Sequence, residues 1–232
     1  MRLDKYLSQA TGLSRKEVKR LMHKNTVTVN GELVRDPSLH ISLDDNVVFN
    51  DGEVAAPTPR YLMMNKPEGV VCANDDPLHP TVISLLYDEP RPDSLHTVGR
   101  LDIDTTGLIL ITDDGQWSHR VTAPKHKMPK RYRVTTVDPI PESAIDDFAQ
   151  GVQLHNEPQP TKPASLVIIN EHEAFLTLTE GKYHQVKRMF AAIGNKVETL
   201  HRDAIADVLL DDTLAPGEYR ELTQQEQELL GV

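Results

Sequence analysis

The chain has 232 residues, which suits one large domain or a small domain followed by a medium one, and it is long enough to bury a core without covalent staples. Its single cysteine, Cys72, excludes an intramolecular disulfide framework and a cysteine-rich zinc site, and it agrees with a reducing compartment. The opening sequence MRLDKYLSQA lacks an apolar signal segment, and no run reaches the length of a membrane span. We therefore expect a soluble, cytoplasmic protein.

Positive charge is concentrated in three blocks, although the net charge is −10. Residues 1–24 carry seven Lys/Arg and two acids, residues 115–137 carry six and none, and residues 181–202 carry five and one. Basic blocks on an acidic chain indicate local phosphate contacts, with the acidic remainder keeping the molecule soluble. Nucleic-acid binding is therefore favoured over the alternative of three ordinary solvated surfaces.

The first sixty residues predict two helices and a hairpin. Apolar residues recur at helical spacing in RLDKYLSQA, and Ser14 with Glu17 three positions later forms a capping box that begins a second helix. TVTVNGELV alternates apolar and polar residues around an Asn-Gly pair, which predicts a hairpin. Cationic side chains lie largely opposite the apolar side of the second helix: Arg15, Lys16, Lys19, Arg20 and Lys24.

This helix, helix, hairpin order resembles the S4 RNA-binding domain over residues 1–52. The resemblance implies docking to folded RNA through the basic helix face; the alternative is a small α/β domain with a solvated charged helix. EVAAPTPR, residues 53–60, predicts a semi-rigid linker because it combines small residues with two prolines. We expect an S4-like domain and linker at residues 1–58 and a second domain at residues 59–232.

The second domain is predicted to be α+β. Strands are expected in RYLMMNK, VVC, GLILIT, RYRVTTV, ASLVII and AFLTLTE. Helices are expected in QWSHRV, PESAIDDFAQG and YHQVKRMFAAIG, and after the capping box TQQE. Strands and helices are mixed without the strict alternation of a doubly wound sheet.

Two carboxylates lie two residues apart in GRLDIDTTGL, residues 99–108. Asp102 and Asp104 could serve a Mg-dependent phosphatase, but the buried strand GLILIT follows them instead of preceding them, and no later Gly-Asp-x-x-x-Asp cluster completes a magnesium site. The phosphatase is therefore a remote alternative. The histidines show no metal-ligand spacing, so we expect no metal and assign core or phosphate-contact roles to His119, His126, His184 and His201.

Five motifs, in order, resemble the pseudouridine synthases, in the branch that modifies ribosomal RNA. They are NKPEG at 65–69, GRLDIDTTGLILITDDG at 99–115, KRYRV at 130–134, EGKYHQVKRMF at 180–190 and LAPGEYRELT at 214–223. The resemblance implies a catalytic domain with a mixed, mainly antiparallel sheet and an isomerase that converts one uridine of 16S ribosomal RNA, uridine 516, to pseudouridine.

The same resemblance implies the partner, which is 16S ribosomal RNA or a small-subunit assembly intermediate. No cofactor is expected, because the reaction conserves the atoms of its substrate, and we expect a monomer. A non-catalytic RNA-binding protein of ribosome assembly that kept the fold is the alternative.

Pseudouridine formation breaks the bond between uracil N1 and ribose C1′, turns the base and rejoins it through C5. The resemblance makes Asp102 the carboxylate at this junction; attack on C1′, addition to the base and help in removing a C2′ proton stay open. It makes Tyr132 the residue that stacks on the uracil. It makes Lys187 the cation that keeps Asp102 ionised, where many family members carry arginine, with Arg188 as the second choice.

The remaining expectations concern RNA contacts and the loop that holds the carboxylate. Arg100 resembles the residue that enters the space left by the extruded base. Lys130 and Arg188 are expected to contact RNA with the basic helix face. Asp104 is expected to be a turn or capping acid, and Lys66-Pro67-Glu68-Gly69 to shape the loop.

Overall fold

The computed structural model describes residues 1–24, 26–123, 126 and 128–232. Its Cα packing divides the chain into two units: Met1–Pro59 with Asp88–Ser94, and Arg60–Tyr87 with Leu95–Val232. Two lysines of the second basic block, Lys125 and Lys127, lie outside the described residues. Within those residues, no helix combines the length and apolar character needed to cross a bilayer.

The first unit confirms the predicted helices and hairpin. Its elements are α1 (Leu3–Thr11), α2 (Arg15–Met22), β1 (Val27–Val29), β2 (Glu32–Leu33), β3 (Val47–Phe49) and β4 (Gly52–Glu53), with an antiparallel sheet in the order β2-β1-β3-β4. The capping box is formed: the Glu17 amide donates to the Ser14 hydroxyl, and the Ser14 amide donates to the Glu17 carboxylate. Positive φ angles at Asn30 (52°) and Gly31 (83°) make the tight turn that the Asn-Gly pair predicted.

The second unit contains the following elements: β5 (Tyr61–Lys66), β6 (His96–Val98), β7 (Thr106–Thr112), α3 (Gly115–Thr122), β8 (Lys130–Thr136), α4 (Ser143–Gln150), β9 (Ser165–Asn170), β10 (Glu173–Leu178), α5 (Gln185–Ala192), β11 (Val197–Ile205), β12 (Val208–Leu209), β13 (Tyr219–Glu221) and α6 (Gln224–Leu229). Across the described ranges, nine strands form one sheet in the order β13-β5-β7-β11-β8-β10-β9, with β12 on β11 and β6 on β7. The β7–β11 pair is parallel and the other pairs are antiparallel. The prediction of an α+β fold with a mixed, mainly antiparallel sheet is confirmed.

The strand predicted for VVC is wrong. Val71 makes only an isolated bridge with Thr81, and the residues after it bend away. Val70 and Cys72 are buried in an apolar cluster with residues of β5 and β7. The apolar run therefore reflects burial in the core, and a short run of this kind cannot be distinguished from a strand by periodicity alone.

The centre of the sheet depends on a close approach between β7 and β11. Gly107 pairs with Arg202, and a Cβ on Gly107 would lie 2.2 Å from the Arg202 carbonyl oxygen. Gly107 also has a φ of +102°, which a residue with a side chain rarely adopts. On the other side of β11, Arg202 pairs with Tyr132 of β8. Because β7 begins soon after the GRLD turn, these pairings place the C-terminal end of that turn beside β11, with β8 on the other side of β11.

Both faces of the sheet are covered at β5 and β7. Successive residues of these strands enter different apolar clusters: Leu62 and Met64 join one, and Met63 joins another together with Trp117 of α3. Since side chains alternate between the two faces of a strand, the near-continuous apolar runs RYLMMNK and GLILIT follow from burial on both faces.

Candidate active site

A cavity of about 440 Å³ opens in the second unit. It is lined by the turn before β7, by β8, by the segment leading into α5 and by β11. Five of the residues predicted from the sequence meet in its lining: Arg100, Asp102, Lys130, Tyr132 and Lys187. Residues far apart in the chain thus converge on one concave site.

Lys66 stabilises the turn that carries Asp102. The Thr105 amide donates to the Asp102 carbonyl at 3.1 Å, which closes the turn. The fully buried Lys66 ammonium donates to the carbonyls of Thr105 (2.8 Å) and Ile103 (3.4 Å). Burial lowers the pKa of Lys66, and nearby acidic groups, Cys72 first and then Asp104 and Asp102, counteract this effect. The loop-shaping role expected of the NKPEG motif has this physical basis.

The Asp102 carboxylate is open to solvent and faces a histidine and a lysine. Its side chain is 33 % exposed; His184 Nε2 lies 3.3 Å from Oδ1, and Lys187 Nζ lies 3.8 Å from Oδ2. Lys187 is closer to Asp104, with Nζ 2.6 and 2.7 Å from the two carboxylate oxygens. That hydrogen bond holds the pKa of Asp104 below its ordinary value against the opposing effect of burial. Asp104 therefore lies in the turn, as expected, and is in addition an ion-pair partner of Lys187, which the sequence did not predict.

Tyr132 of β8 and Arg202 of β11 also line the cavity, and they are neighbours in the β8–β11 pair. The Arg202 guanidinium carbon lies 6.0 Å from the centre of the Tyr132 ring. Arg202 is only 2 % exposed; its Nε donates to the Leu108 carbonyl at 2.9 Å, and its Nη2 has no hydrogen-bond partner within the part of the chain that the structure describes. Lys130 donates to the Met128 carbonyl at 3.1 Å. Burial, with a smaller contribution from Arg202, lowers the pKa of Lys130 to about 8.

Arg188 does not face Asp102, so its use as the second-choice cation is not supported by the geometry. Its guanidinium donates to Glu157 Oε1 at 2.9 Å and to the carbonyls of Tyr183 (3.0 Å) and His155 (2.6 Å). These bonds tie the start of α5 to the neighbouring loop. Arg100, in contrast, is exposed at the cavity and forms no ion pair with any described residue.

The predicted basic face of α2 divides into two kinds of cation. Arg15 Nη2 lies 2.8 Å from Asp4 Oδ1, and Lys19 Nζ lies 3.6 Å from Asp4 Oδ2, so both are engaged within the unit. Lys16 and Arg20 are exposed and form no ion pair with a described residue. Lys24, just beyond the end of α2, is also exposed and forms no ion pair with a described residue, so Lys16, Arg20 and Lys24 remain available to a phosphate.

Sequence reasoning missed two residues of the cavity, Arg202 and His184. Arg202 lies on β11, a strand that was not predicted. His184 was read as the first turn of a helix, whereas α5 begins at Gln185 and His184 has the left-handed angles φ 47° and ψ 38°. Its place directly before Gln-Val in HQVKRM was the available signal. Within residues 1–24, 26–123, 126 and 128–232, no three His, Cys, Asp or Glu side chains are grouped so as to hold a metal ion.

The chain belongs to the RNA pseudouridylate synthase family, whose profile matches residues 60–192; the S4 domain profile matches residues 1–47. It is therefore an isomerase that converts uridine to pseudouridine in RNA. The chain is similar to ribosomal small subunit pseudouridine synthase A of Vibrio parahaemolyticus, with 54 % identity covering 97 % of each chain. The protein of that name from Escherichia coli K12 is 52 % identical over 97 % of this chain and 98 % of the relative.

A solved structure gives the same assignment. A crystal structure of a pseudouridylate synthase superposes with a TM-score of 0.73 at 49 % identity, covering 99 % of both chains. The predictions of family, fold and enzyme class are confirmed. The non-catalytic alternative does not fit a chain that belongs to this family of isomerases over nearly its whole length.

Proposed function

We propose that the chain isomerises one uridine of 16S ribosomal RNA, uridine 516, and that Asp102 is the reacting carboxylate. The target follows from the relatives, which are ribosomal small subunit pseudouridine synthases over nearly their whole length. The observation that carries the assignment of Asp102 is its position: it is an open carboxylate in the same cavity as Tyr132 and within 4 Å of the His184 ring and the Lys187 ammonium. We also propose, from the sequence expectations above, that the chain acts as a monomer in the cytoplasm.

The site supplies what the isomerisation requires. The reaction transfers ribose C1′ from uracil N1 to C5, so a group must wait at the sugar–base junction while the base turns. A carboxylate that keeps one oxygen free of hydrogen bonds can take that place, and Lys187 and the His184 ring lie close beside it. Tyr132 offers a ring on which uracil stacks, and Lys130 and Arg202 place positive charge beside the base, whose detached form is an anion.

RNA docking is assigned to cations outside the cavity as well as within it. Lys16 and Arg20 of α2 are exposed and without ion-pair partners among the described residues, so phosphates can bind them without first breaking a salt bridge. Arg100 lines the cavity and is placed to enter the space that the extruded base leaves, which offsets part of the cost of extrusion.

The reaction is tested by release of tritium from RNA labelled at uracil C5, because C5 loses its hydrogen when it bonds to C1′. The wild-type chain should release the label from a fragment of 16S RNA that contains the target, and Asp102→Asn should bind the same RNA without releasing it. Lys182→Met is a matched change in the cavity lining, since Lys182 is paired with Glu157 at 3.0 Å and not with Asp102. Release by the Asp102→Asn variant would overturn the assignment of the carboxylate.

The target is tested by mapping pseudouridine in ribosomal RNA from cells that lack the gene. Modification at uridine 516 should disappear from 16S RNA and return when wild-type protein is supplied. Loss at another position, with uridine 516 still modified, would overturn the target and leave the isomerase assignment intact.

The docking face is tested by charge reversal. Lys16→Glu with Arg20→Glu should weaken RNA binding by roughly tenfold or more and flatten its dependence on salt, because each lost phosphate contact reduces counterion release. Arg35→Glu is the control, since Arg35 is exposed in the same unit but lies outside α2. An equal loss in the double variant and in the Arg35→Glu control would show a general effect of net charge and no specific role for α2.

A further inference from the structure

Among the described residues, two side chains face Asp102 with a nitrogen atom within 4 Å, and His184 is the nearer of them. Its Nε2 lies 3.3 Å from Asp102 Oδ1, whereas Lys187 lies 3.8 Å from Oδ2 and is held more tightly by both oxygens of Asp104. No acid other than Asp102 lies within ion-pair distance of His184 in the described ranges. Within those ranges, His184 is therefore paired with Asp102 alone, whereas Lys187 is shared between Asp102 and Asp104.

The backbone at His184 is arranged to point this ring at the cavity. Its φ of 47° and ψ of 38° are left-handed, a conformation that residues with a side chain rarely adopt and that concentrates at functional sites. Gln185 fixes the turn, because its side-chain oxygen accepts from the Lys182 amide at 2.8 Å and its nitrogen donates to Glu180 at 2.7 Å. The Arg188 amide donates to the His184 carbonyl at 3.0 Å and begins α5.

The imidazole is also held on its face. The Tyr183 and His184 rings stack with centroids 3.8 Å apart and planes at 20°. Tyr183 is 76 % exposed, so it contributes little to the core and its position is not explained by burial. One side of the imidazole is therefore covered by Tyr183, while the edge of the ring that carries Nε2 meets Asp102.

We infer that His184 is a positioning residue for Asp102: its ring nitrogen holds Oδ1 and leaves the other oxygen of the carboxylate to the ribose. This inference rests on the proposed role of Asp102 and extends it. A carboxylate on a turn rotates freely about its side-chain bonds unless a second contact fixes it, and displacement of a reacting group by about 1 Å costs on the order of a hundredfold in rate. The unusual backbone of His184 and the stack on Tyr183 supply that fixed contact.

The test removes the ring without straining the backbone. His184→Gly retains the left-handed conformation, because glycine adopts it at no cost. We expect the single-turnover rate of tritium release to fall by roughly ten- to a hundredfold while the Kd for RNA changes less than twofold. Added imidazole should restore part of the lost rate, since the site is open to solvent. His184→Gln, which keeps an N–H donor of similar reach, should retain more activity than His184→Gly.

The matched control is Ala206→Gly, which makes the same change at another left-handed residue (φ 50°), in the β11–β12 turn. Its rate should be near that of the wild type and insensitive to imidazole. An unchanged rate in His184→Gly, a loss confined to the Kd for RNA, or a loss that imidazole does not restore in a chain with wild-type Tm would each overturn the positioning role. Asp102→Asn is measured in parallel: if it is active, the proposed function fails, whatever His184→Gly does.

Discussion

Two aspartates, one in each unit, show how differently this chain uses the same side chain. Asp4 is 0 % exposed and lies within ion-pair distance of Arg2 (3.1 Å), Arg15 (2.8 Å) and Lys19 (3.6 Å). Asp102 is 33 % exposed and faces His184 and Lys187 at the longer distances of 3.3 and 3.8 Å. The first carboxylate is saturated with donors, and the second keeps room for a substrate.

The difference separates a stabilising carboxylate from the one that we propose to react. Burial alone would raise the pKa of Asp4, but the hydrogen bonds from Arg2 and Arg15 outweigh it and hold the pKa below its ordinary value. Those bonds also occupy the oxygen lone pairs that a reaction would need. Asp102 has looser partners, and the bonds that fix its turn come from the backbone and from Lys66. In the proposed site, the bonds that stabilise the turn therefore go to its backbone and not to the carboxylate oxygens.

The largest expected effect comes from moving the open carboxylate. Asp102→Glu keeps the charge but lengthens the side chain by one methylene, so the oxygens leave the position that the turn defines. We expect the single-turnover rate of tritium release to fall by about 10²–10³-fold, with Tm unchanged because no buried bond is lost. Asp104→Glu is the control for added length in the same turn. A wild-type rate in Asp102→Glu would show that the site does not depend on precise placement of the carboxylate.

Removing the charge of the saturated carboxylate should affect stability instead of chemistry. Asp4→Asn leaves three cations without their shared negative charge and should destabilise the first unit by about 2–3 kcal/mol, less than for a fully buried pair because the cations are partly exposed. Trp117 is the only tryptophan and lies in the second unit. The denaturant midpoint by circular dichroism should therefore fall, while the midpoint by tryptophan fluorescence stays near that of the wild type. Equal shifts in both signals would refute a stabilising role confined to the first unit.

Lys66 combines features of both aspartates, because it is buried and fully hydrogen-bonded and it stabilises the turn that carries Asp102. Lys66→Met keeps the length of the side chain but removes the ammonium donor from the Thr105 carbonyl, and it leaves the Ile103 carbonyl with the Gly69 amide as its donor. The loss should be about 2 kcal/mol by tryptophan fluorescence, because relief of the buried charge offsets part of the cost. The rate should also fall, since the turn that carries Asp102 loosens. A stable variant with a wild-type rate would show that the turn holds itself.

Much of the fold was predictable because the signals are local. The two capping boxes, the Asn-Gly hairpin and the apolar runs of β5 and β7 each follow from neighbouring residues, and all are present. Strand β11 was not predictable from its pattern, because VETLHRDAI mixes charged and apolar residues without regular alternation. Its place in the sheet depends on the approach of Gly107 to Arg202, which is a long-range contact.

The site shows the same division. Motif resemblance brought Asp102, Tyr132 and Lys187 together, and all three line one cavity. It did not show that Lys187 binds Asp104 more closely than Asp102, because both acids lie two residues apart and only the turn geometry decides which one the lysine meets. Nor did it show that Arg188 faces Glu157, since the direction of a side chain on α5 depends on packing against a distant loop.

The smallest expected effect is a pH dependence of RNA binding at the cavity, which the stability of the first unit should not share. The pKa of Lys130 is lowered to about 8, so the ammonium is charged below that pH and neutral above it. If Lys130 binds RNA, affinity should fall a few-fold as pH rises from about 7 to 9, because the protonated form makes the contact. In Lys130→Arg the side chain stays charged throughout this range and the slope should be lost. The same slope in both proteins, measured as the Kd for RNA at constant ionic strength, would assign the titration to another group.

The stability of the first unit should not change over this pH range. The pKa of the Asp4 carboxylate is lowered in the folded chain, so its stabilising contribution is fully present from about pH 7 to 9 and is lost only as pH falls below about 4.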